Sequence, residues 1–324
     1  MDRLKLYMNF TRFKHAFYIE KLAFSSKERE GKMKQARWFF WVFVLMGFLW
    51  IADSVGYAKD NSDSIQIKGS DTMVNLGQAW AEEFMTRHPD ASIAVTGGGS
   101  GTGIASLING TCDVAEASRE MKAQELEIAK KNGRDVREYQ VAIDALAVVI
   151  HPSNPIQELT IEQLSRIYSG EYTNWKDLGG KDQKILALSR ERNSGTHVYF
   201  LEHVVRKGNE KGPEQFAPPV LMLPSSQAII EEVAQSESTI GYVGLGYVSP
   251  RVKTIGVGNL PEGPFVHPSI DTALDRTYPL ARHLLFYTAT EPQGVEKSFI
   301  DFVLSDEGQK IVKVMDFVPL RKKA

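Results

Sequence analysis

Gly97-Gly98-Gly99-Ser100-Gly101-Thr102-Gly103-Ile104 is the stretch on which the reading of this sequence turns. It follows Ser92-Ile93-Ala94-Val95-Thr96, whose alternation predicts a strand, and it precedes Ile104, Ala105, Leu107 and Ile108, which predict a short helix. A strand–loop–helix corner without a bulky side chain until Ile104 turns backbone N–H groups outward at a helix N-terminus, where the helix dipole also favours negative charge. Ser100 and Thr102 add hydroxyls, and Gly101 lets the backbone come close. The corner is an anion cradle, and the remaining chain has to say for which anion.

The chain has 324 residues, 43% hydrophobic and 24% charged, enough for one large or two medium folded domains. Its single cysteine, Cys112, excludes a disulfide framework within one chain and any Cys-based zinc site. No cofactor and no metal is expected. Before the folded part, the basic residues Lys32, Lys34 and Arg37 precede an uncharged run from Trp38 to Ala52, and Gly56-Tyr57-Ala58 offers small residues at a cleavage position. This order is that of a secretory signal, and the run falls short of the roughly 20 residues of a membrane span. Residues 1–58 are therefore read as an N-terminal extension with a signal peptide. No cysteine follows the apolar run, so a lipoprotein is not expected and the product is placed in the periplasm. Residues 59–324 hold 28 Lys and Arg against 35 Asp and Glu, a formal net charge of −7. An acidic exported chain does not bind nucleic acid through its overall field, and an anion must be held by a local site.

Along the chain, Ile65–Ile67 predicts a strand. Gly69-Ser70-Asp71-Thr72 predicts a turn, and Met73, Leu76, Trp80 and Phe84 mark one helix face. Thr111–Ala115 predicts a short strand leading into Ser118-Arg119, and Ala123–Lys131 an amphipathic helix. Tyr139–Ile150 predicts a long apolar strand with Asp144 inside it, a charge that must be solvated or paired with a cation. His151-Pro152-Ser153-Asn154-Pro155 ends that strand and suggests a domain crossing. Ile185–Leu188 then runs into Ser189–Thr196, a second corner with Arg190, Ser194, Gly195 and Thr196, followed by a helix at Val198–Val205. Thr239–Gly244 and Tyr278–Tyr287 predict strands, and two helices close the chain. Alternation of strands and helices argues for α/β architecture with mainly parallel sheets, whose ligands lie beyond strand C-termini at helix N-termini.

Several sharper readings fail on spacing. The glycine corner lacks the Lys-Ser/Thr of a nucleotide P-loop and the third glycine of a dinucleotide fingerprint. Neither Ser100 nor Ser194 stands in Gly-x-Ser-x-Gly, so both read as hydrogen-bond donors and not nucleophiles. A single Ser or Thr before a helix is usually a cap; four corners in one chain, two of them with a nearby arginine, favour an anion site. Arg119 and Arg190 each end a strand near a serine turn, where a guanidinium can fork onto a tetrahedral oxyanion; the plain alternative is a salt bridge with Glu120 or Glu191. Asp144 would neutralise one of these arginines. Trp175 reads as packing.

Gly69-Ser70-Asp71-Thr72-Met73, Gly98-Gly99-Ser100-Gly101-Thr102-Gly103, Ala117-Ser118-Arg119, Arg190 with Ser194-Gly195-Thr196, and Ile240-Gly241-Tyr242-Val243 together resemble the periplasmic phosphate-binding proteins of phosphate ABC transporters, over roughly residues 65–320. The resemblance implies a two-lobed type II periplasmic binding protein fold with two crossing hinge strands. Lobe I would take 59–150 and 276–324, and lobe II 151–275. It implies phosphate contacts from Thr72, the backbone of Met73, Ser100, Gly101, Thr102, Ser118, Arg119, Arg190, Ser194, Gly195 and Thr196, with Asp144 behind them. Many members carry an aspartate where this chain has Arg119, and some carry one at Arg192; this chain resembles the branch with arginine after Ala-Ser. Asp144 or Glu116 would then stand in as the acceptor that tells protonated phosphate from sulfate. The implied protein is a non-enzymatic monomer that captures inorganic phosphate and delivers it to a membrane permease. The alternatives are a receptor for sulfate or another tetrahedral oxyanion, and a secreted phosphatase.

Overall fold

The structure is a computed structural model that describes residues 63–320. The export signal expected within 1–58 lies outside the described residues, which all fall in the unit Ser62–Ala324.

The chain opens with β1 (Ser64–Gly69), a 3-10 turn at Asp71–Met73 and α1 (Val74–Arg87). Met73, Leu76, Trp80 and Phe84 are all buried, on the face their spacing predicts. Next come β2 (Ser92–Thr96), α2 (Ser100–Asn109), β3 (Val114–Ala117), α3 (Ala123–Lys131) and β4 (Arg137–Ile150). β3 begins later than the expected Thr111–Ala115. The Thr111 N–H still closes onto the Ser106 carbonyl, and the Asp113 carboxylate accepts the Gln66 N–H at 2.7 Å, so residues 111–113 form the helix exit.

β5 (Glu158–Thr160) leads into α4 (Ile161–Tyr168), where Thr160 and Gln163 form a reciprocal capping box. β6 (Leu186–Arg190) is followed by α5 (Gly195–Phe200), which widens into a π-helical turn at Leu201–Val205. Then come β7 (Leu221–Leu223), α6 (Ser226–Gln235), β8 (Thr239–Gly244), β9 (Lys253–Thr254), β10 (Gly256–Gly258) and α7 (Ile270–Leu274). β11 (Ala281–Thr288), α8 (Gly294–Leu304) and α9 (Asp306–Val314) close the chain.

The main sheet runs β2-β1-β3-β11-β4-β8-β6-β7. Its two ends are parallel, as expected, but β11 is antiparallel to β3 and β4, and β4 is antiparallel to β8. The antiparallel middle comes from β4, which is long enough to serve two partners. Arg137–Ala145 pairs with β11, and Leu146–Ile150 pairs with β8. The exchange thus occurs inside the strand, before the His151–Pro155 turn. The return passage lies at Tyr278–Leu280: the Tyr278 hydroxyl donates to the Leu146 carbonyl at 2.8 Å, and the Leu146 N–H to the Leu280 carbonyl at 2.8 Å. β11 starts only after this passage.

The inner strands β3, β8 and the second half of β4 are buried on both faces, which is why they read as apolar runs, whereas β1 and β2 alternate. In β11, Leu284 and Phe286 face the cluster built on Trp80, Phe84 and Phe299, while Leu285 and Tyr287 face Ile104 and Leu107. In the second half of β4, Leu146, Val148 and Ile150 face Tyr168, Phe200 and Tyr242, while Ala147 and Val149 face Ile229 and Val233. The C-terminal helices return to the first half: the Trp80 indole donates to the Gly308 carbonyl at 2.8 Å, and Val318 pairs with Ile143. Two α/β/α lobes result, joined by β4 and the 278–280 passage. Among the described residues no helix is long and apolar enough to cross a membrane.

Candidate functional site

Two corners from different lobes meet. β2 delivers Gly97–Gly99 to the start of α2, and β6 delivers Arg190–Ser194 to the start of α5. The Gly101 N–H donates to the Asn193 carbonyl at 2.9 Å, and the Asn193 side-chain amide donates to the Gly98 carbonyl at 2.6 Å and to Thr102 Oγ1 at 3.3 Å. Gly99 has φ +95°, and a Cβ there would lie 2.8 Å from the Asn193 carbonyl oxygen, so the approach requires glycine. Gly195 is closer still to the opposite lobe. A Cβ on it would stand 2.4 Å from Ser100 Oγ and 2.7 Å from Ser118 Oγ.

Around this contact lies a ring of buried hydroxyls. Thr72 Oγ1 and Thr196 Oγ1 are 2.7 Å apart across the lobes. Ser70 Oγ donates to Ser118 Oγ at 3.0 Å, Ser118 Oγ lies 3.4 Å from Ser100 Oγ, and the Ser118 N–H donates to Ser100 Oγ at 3.0 Å. Ser70, Thr72, Ser100, Ser118, Ser194 and Thr196 are all buried. Ser194 caps α5, its Oγ accepting the Thr196 N–H at 3.2 Å. The structure thus brings together Thr72, Ser100, Gly101, Ser118, Ser194, Gly195 and Thr196 of the predicted set. Thr102 stands at the exposed rim, donating to the Gly98 carbonyl. The Met73 N–H closes the 3-10 turn onto the Ser70 carbonyl at 2.9 Å.

The charged residues depart from expectation. Arg119 forks onto Glu125 at 2.7 and 2.8 Å and donates to the Glu120 carbonyl, with Nη2 beside Gly101, 3.7 Å from where a Cβ there would stand. A guanidinium at a strand end takes the nearest bidentate carboxylate, and α3 supplies one at Glu125. Arg190 is buried beside the ring, but its Nε and Nη2 donate to the Leu223 and Pro224 carbonyls, and Nη1 to Ser226 Oγ, with Asp71 Oδ2 at 2.9 Å. Asp71 also accepts the Ser226 N–H and hydroxyl, so this cluster spans the lobes. Burial lowers the Arg190 pKa and the Asp71 charge opposes that shift.

Asp144 is fully buried, and its cation is neither Arg119 nor Arg190 but Arg282 of β11. Arg282 Nε and Nη2 reach Asp144 Oδ2 at 3.1 and 2.8 Å, Nη1 reaches the Ser118 carbonyl at 3.0 Å, and Nη2 reaches Thr196 Oγ1 at 2.9 Å. Arg282 and Ser226 were not picked out by spacing, while Asp71 and Asn193 stood in the predicted corners without a role of their own. For Arg282 one signal existed: an isolated charge inside a long apolar strand, the counterpart of Asp144. Glu116 is also fully buried, but its carboxylate packs toward Gly77 and Val95 in the interior of the first lobe. Burial, reinforced by Asp71, pushes its pKa well above the usual carboxylate range. His197 donates from Nδ1 to the Arg190 carbonyl at 2.9 Å, and burial lowers its pKa to about 4. Trp175 is buried and bonds to the Ser238 carbonyl, as packing requires.

A groove of about 750 Å³ opens beside the ring, between the Ser118–Gln124 segment and β11 on one side and the helix bearing Tyr199 and His203 on the other. Ser118 and Arg282 line the groove and also belong to the contact network of the ring. Among the described residues no three His, Cys, Asp or Glu converge as metal ligands would. A ring of short hydroxyl donors, glycine backbone and two carboxylate-paired guanidiniums can hold a small oxyanion by directed hydrogen bonds.

Residues 57–307 match the family model described as a PBP superfamily domain. The phosphate-binding protein PstS of Pseudomonas aeruginosa is 34% identical over 283 residues, covering 82% of this chain and 86% of that protein. PstS of Bacillus subtilis is 30% identical over 298 residues, covering 86% and 93%. A Clostridium perfringens protein assigned as a phosphate ABC transporter substrate-binding protein, solved with bound phosphate, superposes with a TM-score of 0.71 at 34% identity, over 80% of this chain and 100% of that one. An ABC-type phosphate transport receptor from Vibrio cholerae gives 0.63 at 30% identity, over 79% and 100%.

Proposed function

This chain belongs to the PBP superfamily, with phosphate-binding proteins among its relatives, and from that premise we propose that it captures inorganic phosphate between its two lobes and hands it to the membrane permease of an ABC transporter. The single observation that carries the reading is the interlobe ring: Thr72 of one lobe is hydrogen-bonded to Thr196 of the other, and Gly195 packs so closely on Ser100 and Ser118 that a Cβ there would clash with both hydroxyls. An anion entering from the groove replaces the Thr72–Thr196 contact and accepts from both hydroxyls. Each lobe then contributes donors to one ligand, so binding favours the arrangement in which the lobes are together. The partition into two lobes, expected as 59–150 with 276–324 and as 151–275, is part of this proposal; the change of partners along β4 supports two lobes and moves the first boundary back to Ala145 and Leu146.

The protein acts as an exported monomeric receptor and not as an enzyme. Among the described residues, Ser100 and Ser194 have other hydroxyls and backbone amides as partners, with no base hydrogen-bonded to either. Calorimetric titration of the purified protein with phosphate and with sulfate between pH 5 and 9 tests the reading. It predicts one site per chain, a phosphate Kd of about 1 µM or tighter, corresponding to roughly −8 kcal/mol, and clear preference over sulfate. Absence of heat with phosphate, or preference for sulfate, would contradict it.

A further inference from the structure

We propose that Arg282 is a positioning residue for the anion. Held by Asp144 at the crossing between the lobes, it fixes the Thr196 hydroxyl as a donor toward the ligand; this inference rests on the phosphate reading above.

Three observations converge. The first is position. Arg282 and Asp144 are paired residues of β11 and β4, next to the point where β4 leaves β11 for β8 and where the chain returns through residues 278–280. The pair therefore sits on both connections between the lobes. The second is the set of contacts. From that place the guanidinium reaches the Ser118 carbonyl in the first lobe and Thr196 Oγ1 in the second, and Asp144 Oδ1 accepts the Leu245 N–H at 3.1 Å. Tyr199 lies beneath the guanidinium, 5.3 Å from ring centroid to Cζ. Arg282 is buried, so these contacts replace solvent.

The third observation is chemical. A guanidinium has donors and no acceptor, so Thr196 Oγ1 must accept from Arg282. A hydroxyl that accepts a charge-assisted bond is polarised, and its own proton is directed away from the cation. What lies opposite is Thr72 Oγ1 at 2.7 Å, the place an anion oxygen takes on binding. Arg282 thereby converts an ambivalent hydroxyl into a committed donor. Its charge is balanced by Asp144, whose Oδ2 accepts from the same Nη2 that donates to Thr196 Oγ1. Because Thr196 moves with the second lobe, the bond is made only where the lobes are together, which ties donor orientation to closure.

A double-mutant cycle on phosphate affinity tests this. Removing Arg282 alone would strand a buried Asp144 charge, so the pair is neutralised together as Arg282→Gln with Asp144→Asn, and crossed with Thr196→Val. The paired change and Thr196→Val should each weaken phosphate binding by at least about tenfold. All three changes combined should be weaker than the worse of the two by no more than about threefold, because both act through one hydroxyl. If the paired variant does not fold, Arg282→Lys carries the test. It keeps the charge beside Asp144 but lacks the planar fork in which Nε holds Asp144 while Nη2 reaches both Asp144 and Thr196, and the same loss and non-additivity are expected. Unchanged affinity in these variants, or losses that multiply, overturns the proposal while wild-type phosphate binding stands. Wild-type protein that binds no phosphate overturns the phosphate reading and this inference with it.

Discussion

A buried guanidinium persists where its donors meet acceptors and its charge meets a carboxylate. Arg190 does so with Asp71 and Ser226 across the lobes, Arg119 with Glu125 within one lobe, and Arg282 with Asp144 on the crossing strands. The sequence shows why an arginine next to a serine turn attracts notice, since those neighbours are local. It does not show that Arg282 shares the hydroxyl ring, because the Arg282–Asp144 pair joins residues 138 positions apart and depends on strand register. Asp144 was legible as a buried charge in search of a cation; the identity of the cation was not. His197 gives a prediction at this scale. Burial lowers its pKa in the folded protein to about 4, from an ordinary histidine value of 6.5, so its neutral form is the folded one. The stability this contributes is complete above pH 6.5 and is lost as pH falls through about 4. Urea denaturation of the wild type should therefore lose about 3 kcal/mol more than His197→Gln between pH 7 and pH 4. Parallel pH profiles would contradict it, and the comparison cancels every other titrating group.

At the scale of elements, the corners were the most legible feature. A strand, a glycine-bearing turn and a helix start are set by nearby residues, and both main corners fold where the pattern puts them. Three discrepancies have local or topological causes. β3 starts late because Asp113 serves as a cap on β1. β11 starts after residues 278–280, which an apolar pattern cannot distinguish from strand. The crossing falls within β4, because one unbroken apolar run serves two partners. The glycine at the start of α5 carries a sharper consequence than conformational freedom. Gly195→Ala places a methyl against Ser100 and Ser118 of the other lobe. The lobes can part to accommodate it, so the thermal midpoint should change little. The close approach would cost about 1–3 kcal/mol, lowering phosphate affinity about fivefold to 150-fold. Retained affinity by titration would show that the two corners do not meet around the ligand.

For the whole molecule, the question is how an acidic protein holds an anion. Residues 59–324 carry a net charge of −7, so long-range attraction is not the means. The two lobes instead bring together uncharged donors, and the guanidiniums nearest them are each balanced by a carboxylate. Directed donors of this kind favour an anion whose oxygens match their geometry. Two lobes on two thin connections allow those donors to separate and rejoin, which a single rigid domain would not. The most direct test is a crystal structure of the protein grown with phosphate. The account predicts one tetrahedral anion between Thr72, Ser100 and Ser118 on one side and Ser194, Gly195 and Thr196 on the other, with Arg282 still bonded to Thr196. A phosphate bound outside this ring, or a ring unchanged at saturating phosphate with Thr72 still on Thr196, would contradict it.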